Sequence, residues 1–307
     1  MVFGICGYGN LGKAVEKIIL SKGNDSLFGI FSRRENVYSE YGTSVFSYRD
    51  AKKFKDEIDV MIMCGGSQED LRWQSVEMIK YFNIIDTFDT HAEIENHKFN
   101  LESARLKSGK TGIYSCGWDP GLFSIARSLC ASVFSSPPQT FWGKGVSQGH
   151  SEALRNIKGV LDAIQFTIPN KKALDKVKNN PSICFDDNKK HERHCYVCLT
   201  GERSFEEIEK EIKNTENYFK GQTVFVNETS FEEIQKLKAK MLHRGSVFGG
   251  NAETSINFNV EMENNPDFTA NILIAYAHSI PKLLPGVYSV LEIPISLVGT
   301  QSNDKYL

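Results

Sequence analysis

Three glycines near the start of the chain have the spacing of a phosphate-binding loop. The motif Gly7-Tyr8-Gly9-Asn10-Leu11-Gly12 follows the apolar run Val2–Cys6 and opens the amphipathic segment Leu11–Ser21. In this context the first glycine permits a tight turn, the second admits a pyrophosphate, and the third lets helix and strand pack closely. The N-terminus of the helix then faces the phosphates with free N–H groups. This favours dinucleotide binding over a purely structural glycine turn.

The residues after the second predicted strand indicate which dinucleotide is bound. An NAD-specific domain usually places Asp or Glu about 20 residues beyond the glycines, to hold the ribose 2′-hydroxyl. Here the strand Leu27–Phe31 ends in Ser32-Arg33-Arg34, and Asp25 precedes the strand at the wrong end. A hydroxyl and two guanidinium groups suit a 2′-phosphate. The sequence therefore predicts NADP, with a solvated basic turn as the alternative.

Small residues follow a further predicted strand, Asp59–Cys64. Cys64-Gly65-Gly66-Ser67 leaves room for a cofactor if it lies at the carboxyl edge of the sheet. An ordinary strand-to-helix turn explains the same residues equally well.

Three turns carry acidic or amide side chains at predicted helix starts. They are Asp89-Thr90-His91-Ala92-Glu93, Trp118-Asp119-Pro120-Gly121 and Asn265-Pro266-Asp267. Local chemistry favours caps: Thr90 and Glu93 have capping-box spacing, and Asp119 precedes a proline at a helix start, with Trp118 placed to staple Phe123. The first two turns also follow strands at the carboxyl edge of the sheet, which favours a function.

The segment His191-x-x-His194-Cys195-x-x-Cys198 resembles a zinc site in composition. Cys195–Leu199, however, has the composition of a strand, and residues three apart on a strand point to opposite faces. We therefore predict no metal site.

Apolar periodicity divides the chain into two kinds of fold. The first part alternates strands with helices and predicts an α/β, Rossmann-type, doubly wound parallel sheet; its strands are Val2–Cys6, Leu27–Phe31, Asp59–Cys64, Ile84–Thr87 and Gly112–Cys116, and its helices are Leu11–Ser21, Asp70–Tyr81 and His91–Leu106. The second part predicts an α+β domain with a mainly antiparallel sheet; its strands are Thr140–Gly143, Ala163–Ile168, Cys195–Leu199, Thr223–Asn227 and Thr254–Glu261, with helices at Ser204–Asn214 and Ser230–Lys240.

The predicted domain boundaries follow from this change of pattern. Residues 1–118 are expected to form the dinucleotide-binding domain, and residues 119–263 a second domain. The segment of about 264–307, with a helix at Asp267–Leu283 and an apolar tail at Val287–Val298, is expected to pack back on the first domain. Lys171–Lys190 is the most loop-like stretch.

Composition restricts the partners and the compartment. The 307 residues include 36 Lys and Arg against 38 Asp and Glu, for a formal charge of −2. Proteins that bind nucleic acid carry clustered positive charge, and this near-neutral chain is therefore not expected to bind it. No apolar stretch reaches the roughly 20 residues of a membrane helix. Seven irregularly spaced cysteines and the lack of an export-signal pattern predict free thiols in the cytoplasm.

Seven motifs, read together and in order, resemble the meso-diaminopimelate dehydrogenase family over nearly the whole chain. As a set they are specific, whereas each alone is not. They are Gly7–Gly12, Gly29–Arg34, Asp86–Asp89, Gly117–Gly121, Thr140–Gly143, Ser147-Gln-Gly-His-Ser151 and Asn265–Thr269.

The resemblance implies NADP-linked oxidative deamination at the D-configured centre of meso-2,6-diaminopimelate, in lysine and cell-wall precursor metabolism. It implies a homodimer formed through the second domain, with the substrate in a cleft between the domains. Asp89 and Asp119 would flank the D-centre. The distal L-centre would be held by Gln148, Thr167, Arg193 and His243, with Arg193 pairing its carboxylate. Trp142 would wall the pocket, Asn265 would add a polar contact, and Gly149 is a further expected substrate-binding residue. The predicted cofactor residues are Gly7, Tyr8, Gly9, Asn10, Leu11, Gly12, Ser32, Arg33, Arg34, Cys64, Gly65, Gly66, Ser67, Thr87, Trp118, Pro120 and Gly121.

Two positions depart from the family pattern. Glu152 stands where the family has Asp, and Met241–Gly245 matches poorly around His243. The alternative functions are another two-domain NADP oxidoreductase, which would release no ammonia, and an NADP-sensing regulator, which would turn over no amino acid.

Overall fold

The structure is a computed structural model and describes residues 1–239, 243–301 and 306. Two predicted features extend outside these residues: the last residue of Ser230–Lys240 and the first two of Met241–Gly245. The chain forms two compact units, Met1–Ile125 with Pro266–Leu307, and Ala126–Asn265. Sequence analysis places the boundaries at residues 118 and 264. In the structure the first boundary falls within the helix Leu122–Val133.

The first unit contains a seven-stranded sheet in which every pair is parallel. In chain order its first six strands are β1 (Val2–Cys6), β2 (Ser26–Ser32), β3 (Val45–Ser47), β4 (Val60–Met63), β5 (Asn83–Asp86) and β6 (Gly112–Ile113). The seventh, Val287–Tyr288, is β14 in chain order, and the spatial order is β14-β6-β5-β4-β1-β2-β3. Apolar side chains fill both faces, as a sheet covered by helices requires.

The helices of this unit lie between the strands. They are α1 (Asn10–Lys22), α2 (Arg72–Met78), α3 (Ile94–Arg105), α4 (Leu122–Val133), which begins here, and α10 (Asn265–Ala277). One π-type turn covers Ser67–Leu71, and short 3₁₀ helices cover Tyr48–Phe54, His91–Glu93, Ile280–Lys282, Val290–Glu292 and Ile295–Leu297. Because β1 is flanked by β2 on one side and β4 on the other, their carboxyl ends open the crevice where this fold binds ligands.

The second unit contains two sheets. One has the order β11-β10-β9-β8 and the other β13-β12-β7. The strands are β7 (Gln139–Trp142), β8 (Gly145–Val146), β9 (Val160–Pro169), β10 (His191–Leu199), β11 (Thr223–Glu228), β12 (His243–Gly250) and β13 (Ser255–Met262). Every pair is antiparallel except β10 with β11, which are parallel and joined by a crossover through the helix Phe205–Asn214. The predicted fold class is therefore confirmed.

The helices of the second unit include segments that the sequence patterns do not reveal. They are α5 (Gln148–Arg155), α6 (Lys171–Asn179), α7 (Asp187–Lys190), α8 (Phe205–Asn214) and α9 (Phe231–Lys238). The prediction that Lys171–Lys190 is a loop is wrong over α6 and α7. The Asn170 side chain accepts a bond of 3.0 Å from Ala173 N, and Ala173 and Val177 are buried beside Phe141. An N-cap and one small apolar face thus suffice for this helix.

Two further predictions about local structure are wrong. Strand β6 ends at Ile113 instead of Cys116, because Ser115 has a φ of 53° and leaves the extended conformation. Strand β12 was not predicted, because its sequence includes three glycines and lacks clear alternation.

No helix within the described ranges is long and apolar enough to cross a membrane.

Candidate active site

The glycine loop has the conformation that a pyrophosphate-binding turn needs. Gly7 has a φ of 95°, in a region of backbone conformation that residues other than glycine rarely adopt. A Cβ on Gly12 would lie 2.3 Å from the Gly7 carbonyl oxygen, so only glycine allows helix α1 to approach the turn. A Cβ on Gly9 would meet no atom within 4 Å. That open space at the start of α1 fits a phosphate group.

The residues after β2 line the adjoining space. A cavity of about 300 Å³ is bounded by the glycine loop, by Ser32, Arg33 and Arg34, and by Cys64–Gly66. A second cavity of about 830 Å³ shares the same three residues and extends toward Arg49. Backbone turns, open volume and basic groups together match a dinucleotide with a 2′-phosphate.

The two arginines have different partners. Arg34 Nη2 donates to the Tyr8 carbonyl oxygen over 2.6 Å, and so it braces the glycine loop. Arg33 forms an ion pair with Asp70 and lies over the Trp73 ring, 5.4 Å from its centroid. Ser32 Oγ accepts from Arg34 N over 3.0 Å and shapes the turn. The Arg34 side chain therefore bonds the glycine loop, whereas the Arg33 side chain contacts Asp70 and Trp73.

Sequence analysis missed several residues of this cavity. Asp70 also accepts a bond of 3.1 Å from Gly66 N, and Tyr48, Trp73 and Gln74 complete the lining. Asp70, Trp73 and Gln74 lie in the turn and helix after Gly65-Gly66, and Tyr48 begins the 3₁₀ helix after β3, so these residues come together only in the folded sheet. The one available signal is the position of Asp70, four residues after Gly66.

The two cysteines that line the cavity, Cys6 and Cys64, are uncharged. Burial, with a smaller effect of Asp70, raises the pKa of Cys6 to about 12, and burial also raises the pKa of Cys64. Both thiols are therefore neutral at physiological pH, and neither opposes a bound phosphate.

The turn that carries Asp89 is fixed by Ser67. Asp89 N donates to Ser67 Oγ over 2.8 Å, and Ser67 Oγ lies 3.3 Å from Thr90 Oγ1. The predicted capping box of Thr90 and Glu93 is wrong, since the Thr90 side chain caps no helix and meets Ser67 instead. The loops after β4 and β5 are thus joined at the carboxyl edge of the sheet, with Thr87 at the start of the second loop.

Asp119 lies in a tight turn after β6. Gly117 N donates to the Pro120 carbonyl oxygen over 2.9 Å, and Leu122 N donates to the Gly117 carbonyl oxygen over 3.0 Å. The prediction that Asp119 caps a helix, with Pro120 at the first helical position, is wrong because α4 begins at Leu122. The predicted contact of Trp118 with Phe123 is present, with ring centroids 5.2 Å apart.

In the second unit, Thr167 and Arg193 lie opposite each other on β9 and β10. Arg193 Nη1 donates to Thr167 Oγ1 over 2.5 Å, and Arg193 Nε donates to Gln222 Oε1 over 2.6 Å. Gln222 was not predicted. Burial lowers the pKa of Arg193 from its usual high value, but a guanidinium remains charged. The pair presents a fixed, partly buried cation.

The remaining predicted substrate residues occupy element ends. Trp142 ends β7, and its backbone N donates to His191 Nε2 over 2.8 Å. Gln148 and Gly149 open α5, and Gln148 lines a cavity of about 230 Å³ with Arg155 and Lys238. His243 is buried at the start of β12, and Asn265 is the first residue of α10. Glu152 is exposed on α5.

The histidines and cysteines of β10 do not converge. His191 accepts from Trp142 N, His194 Nε2 lies 3.2 Å from Glu192, and Cys195 is buried. Among the described residues no group of three or more His, Cys, Asp or Glu is arranged to hold a metal ion.

The buried ring of His191 is expected to lower the stability of the protein in acid. Burial, and then the charges of Arg193 and Lys190, lower its pKa to about 3 from a usual value of 6.5. Between these values the unfolded chain binds a proton that the native ring does not, so stability falls as pH drops below about 6.5. From there to about pH 5 we expect the ring to cost roughly 2 kcal/mol.

The variant His191→Gln isolates this effect, because its amide oxygen can accept from Trp142 N without titrating. Urea unfolding at several pH values should show a shallower loss of stability on acidification in the variant than in the wild type. Equal pH slopes would contradict the prediction.

The glycine turn and the basic residues beside it suit an NADP-dependent dehydrogenase, and Asp89 and Asp119 follow neighbouring strands at the same edge of the sheet. Comparison with known proteins identifies the family. Residues 117–265 match the model of the diaminopimelic acid dehydrogenase C-terminal domain. The meso-diaminopimelate D-dehydrogenase of Lysinibacillus sphaericus is 40% identical, over 97% of this chain and 95% of that protein.

Solved structures agree over the full length. The Corynebacterium glutamicum DAP dehydrogenase in complex with DAP has a TM-score of 0.91 and 34% identity, covering 99% of this chain and 97% of that one. An engineered D-amino acid dehydrogenase bound to NADP⁺ has a TM-score of 0.86 and 33% identity, covering 99% and 98%. The chain belongs to the meso-diaminopimelate D-dehydrogenase family. The family resemblance and the use of NADP, both expected from the sequence, are confirmed.

Proposed function

We propose that this dehydrogenase removes the D-configured amino group of meso-2,6-diaminopimelate. The products are L-2-amino-6-oxopimelate, which cyclises to tetrahydrodipicolinate, together with ammonium and NADPH; the reaction is reversible. The observation that carries the assignment is the placement of Asp89 and Asp119 after the neighbouring strands β5 and β6, at the sheet edge that also holds the glycine loop. The solved relative with DAP bound supports the same substrate.

Asp89 and Asp119 suit the chemistry at the D-centre. A carboxylate orients the substrate ammonium, and one of the two accepts its proton so that the nitrogen lone pair can form an imine. Bound NADP supplies the acceptor for the hydride that leaves the same carbon. Water then adds to the imine carbon and ammonia departs. The backbone bonds that fix both turns keep the carboxylates in place during these steps.

The second unit supplies groups for the distal L-centre. The Arg193 guanidinium pairs with the distal carboxylate, and Thr167 both orients Arg193 and adds a hydroxyl. The other groups that we assign to this end of the substrate are Trp142 as an apolar wall and Gln148, Gly149, His243 and Asn265 as polar contacts. A substrate with two ammonium and two carboxylate groups requires both signs of charge, and this set with Asp89 and Asp119 provides them.

We further propose that two copies associate through the second unit and that the enzyme works in the cytoplasm. Strand β13 forms one edge of its three-stranded sheet, with Ile256 exposed on it. Light scattering after gel filtration should give twice the mass of one chain. A monomeric mass at micromolar concentration would contradict the dimer.

The assay that tests the function follows NADPH absorbance with purified protein, NADP and meso-diaminopimelate, in parallel with the L,L isomer and with NAD. We expect absorbance to rise with the meso compound and NADP, matched by ammonia release. Reduction without ammonia would indicate another NADP oxidoreductase. NADPH binding with no turnover of any of these substrates would favour a sensor and refute the proposal.

A further inference from the structure

A buried carboxylate–imidazole pair lies behind the turns that carry Asp89 and Asp119. Asp86 ends β5, His97 is on α3, and their side chains are 0% and 2% exposed. His97 Nε2 lies 2.7 Å from Asp86 Oδ2. Burial alone raises the pKa of Asp86, but His97 and two backbone N–H groups outweigh it and the net shift is downward. The carboxylate is therefore ionised, and His97 Nε2 must be the donor.

The other oxygen of Asp86 joins two strand ends. Asp86 Oδ1 accepts from Phe88 N over 3.1 Å and from Ser115 N over 3.0 Å. The Asp86 backbone carbonyl accepts from Cys116 N over 2.8 Å. Asp86 thus bonds the chain at Phe88, one residue before Asp89, and at Ser115, two residues before Gly117.

The Ser115 bond has a conformational role. Ser115 has a φ of 53°, which is unfavourable for a residue with a side chain unless its surroundings fix it. This residue directs the chain from β6 toward the turn of Asp119. On the other side, the Phe88 ring stacks on His97 with centroids 4.1 Å apart, and the next residue, Asp89, bonds Ser67.

We propose that Asp86 and His97 are positioning residues that fix the two carboxylate-bearing turns and thereby set the rate of deamination. Both are buried, so they act through Phe88 and Ser115 and touch neither substrate nor cofactor. This inference rests on the roles proposed for Asp89 and Asp119. If the pair had a purely structural role, its loss would lower stability and leave turnover unchanged.

The same unit contains a matched control. His278 Nε2 lies 3.0 Å from Asp25 Oδ2, and these side chains are 14% and 5% exposed. Asp25 precedes β2, so this second pair lies at the amino ends of the strands, the edge opposite to the carboxylate turns. Replacing the histidine of either pair removes one buried His–Asp contact beside the same parallel sheet.

The experiment compares His97→Asn, His97→Gln and His278→Asn in the full-length protein. A glutamine amide can reach the position of Nε2 and donate to Asp86, whereas an asparagine amide is one methylene too short. Melting temperature, steady-state kinetics with NADP and meso-diaminopimelate, and hydrogen exchange of peptides spanning residues 84–90 and 112–121 are measured below the melting range.

For His97→Asn we expect exchange at both peptides to accelerate by about tenfold or more. We also expect kcat to fall about 10- to 100-fold, with the KM for NADP changed by less than about threefold. His97→Gln should stay within about threefold of the wild type in every respect. His278→Asn should melt earlier with unchanged kcat and unchanged exchange at the two turns.

Normal exchange at the two turns in His97→Asn, or a fall in kcat no greater than in His278→Asn, would overturn the proposal. If His97→Asn does not fold, Asp86→Asn replaces it, since Asn keeps one acceptor oxygen; an intermediate loss is expected, and no loss would also overturn the proposal. A wild-type protein inactive on meso-diaminopimelate would refute the proposed function instead, while the exchange rates would still decide whether the pair fixes the turns.

Discussion

Replacing Asp119 with Ala is expected to lower kcat for meso-diaminopimelate by about 10²- to 10⁴-fold, the usual range for a group that positions or transfers a proton. In the proposed role of Asp119 the substrate ammonium loses its carboxylate partner, while backbone bonds from Gly117 and Leu122 still close the turn. Affinity for NADPH should change by less than about twofold, because the glycine loop and the arginines are untouched.

Stopped-flow turnover and NADPH fluorescence titration measure the two quantities separately. Asp119→Asn tests charge at constant shape and should be nearly as slow. Asp186→Ala removes an exposed carboxylate paired with Lys189 and serves as the control for a lost negative charge. Near-normal turnover of Asp119→Ala would refute the role assigned to this residue.

Replacing Arg33 with Ala is expected to raise the KM for NADP by about 10- to 100-fold, since hydrogen bonds to charged groups contribute about 1.5–3 kcal/mol. The KM for NAD should change little, because NAD lacks the 2′-phosphate for which we propose Arg33 as a partner. Arg34→Ala should differ: it also removes the bond to the Tyr8 carbonyl, so both cofactors should bind more weakly. The double variant should lose about 10²- to 10³-fold in NADP preference.

Kinetics with each cofactor at low and high salt test this division between the arginines. Arg33→Ala should lose most of its salt dependence for NADP, because an ionic contact is gone. Arg72→Ala, an exposed arginine outside the cavity lining, is the matched control. An Arg33→Ala variant with unchanged NADP preference would assign the 2′-phosphate to other groups.

The cofactor half was predictable because its signal is local. The glycine loop, the strand before it and the helix after it are contiguous, and the arginines follow the next strand. The central strands β1, β2 and β4 are apolar runs with few alternatives, whereas the short edge strands β3 and β14 were not predicted as strands. The cofactor could therefore be derived from about thirty residues.

The rest of the site depends on contacts between distant residues. Nothing near Asp70 in sequence indicates Arg33, and nothing near Asp86 indicates Ser115. Local chemistry even favoured the wrong explanation for Thr90 and Asp119, since cap residues and site residues are the same types. Thr167 and Arg193 were identified only by family resemblance, because strand and loop composition alone gives them no distinction.

The same limit explains the missed elements. The highly charged sequence of helix α6 predicts a loop, although Ala173 and Val177 are buried on one face of the helix. Strand β12 is held extended by pairing with β7 on one side and β13 on the other. Its glycine-rich sequence does not predict this pairing. In both cases tertiary context outweighs local propensity.

The parallel sheet of the first unit is completed by a segment that the ribosome makes late. Strand β14 pairs with β6, and α10 buries Ala270, Leu273 and Ala277 in the core beneath the glycine loop, yet both follow the whole of the second unit. During translation the second unit, which is continuous, can fold while β6 still has an unpaired edge and the first core lies open. Synthesis therefore completes the second unit before the first, and a nascent chain halted before α10 would expose apolar surface to chaperones and proteases.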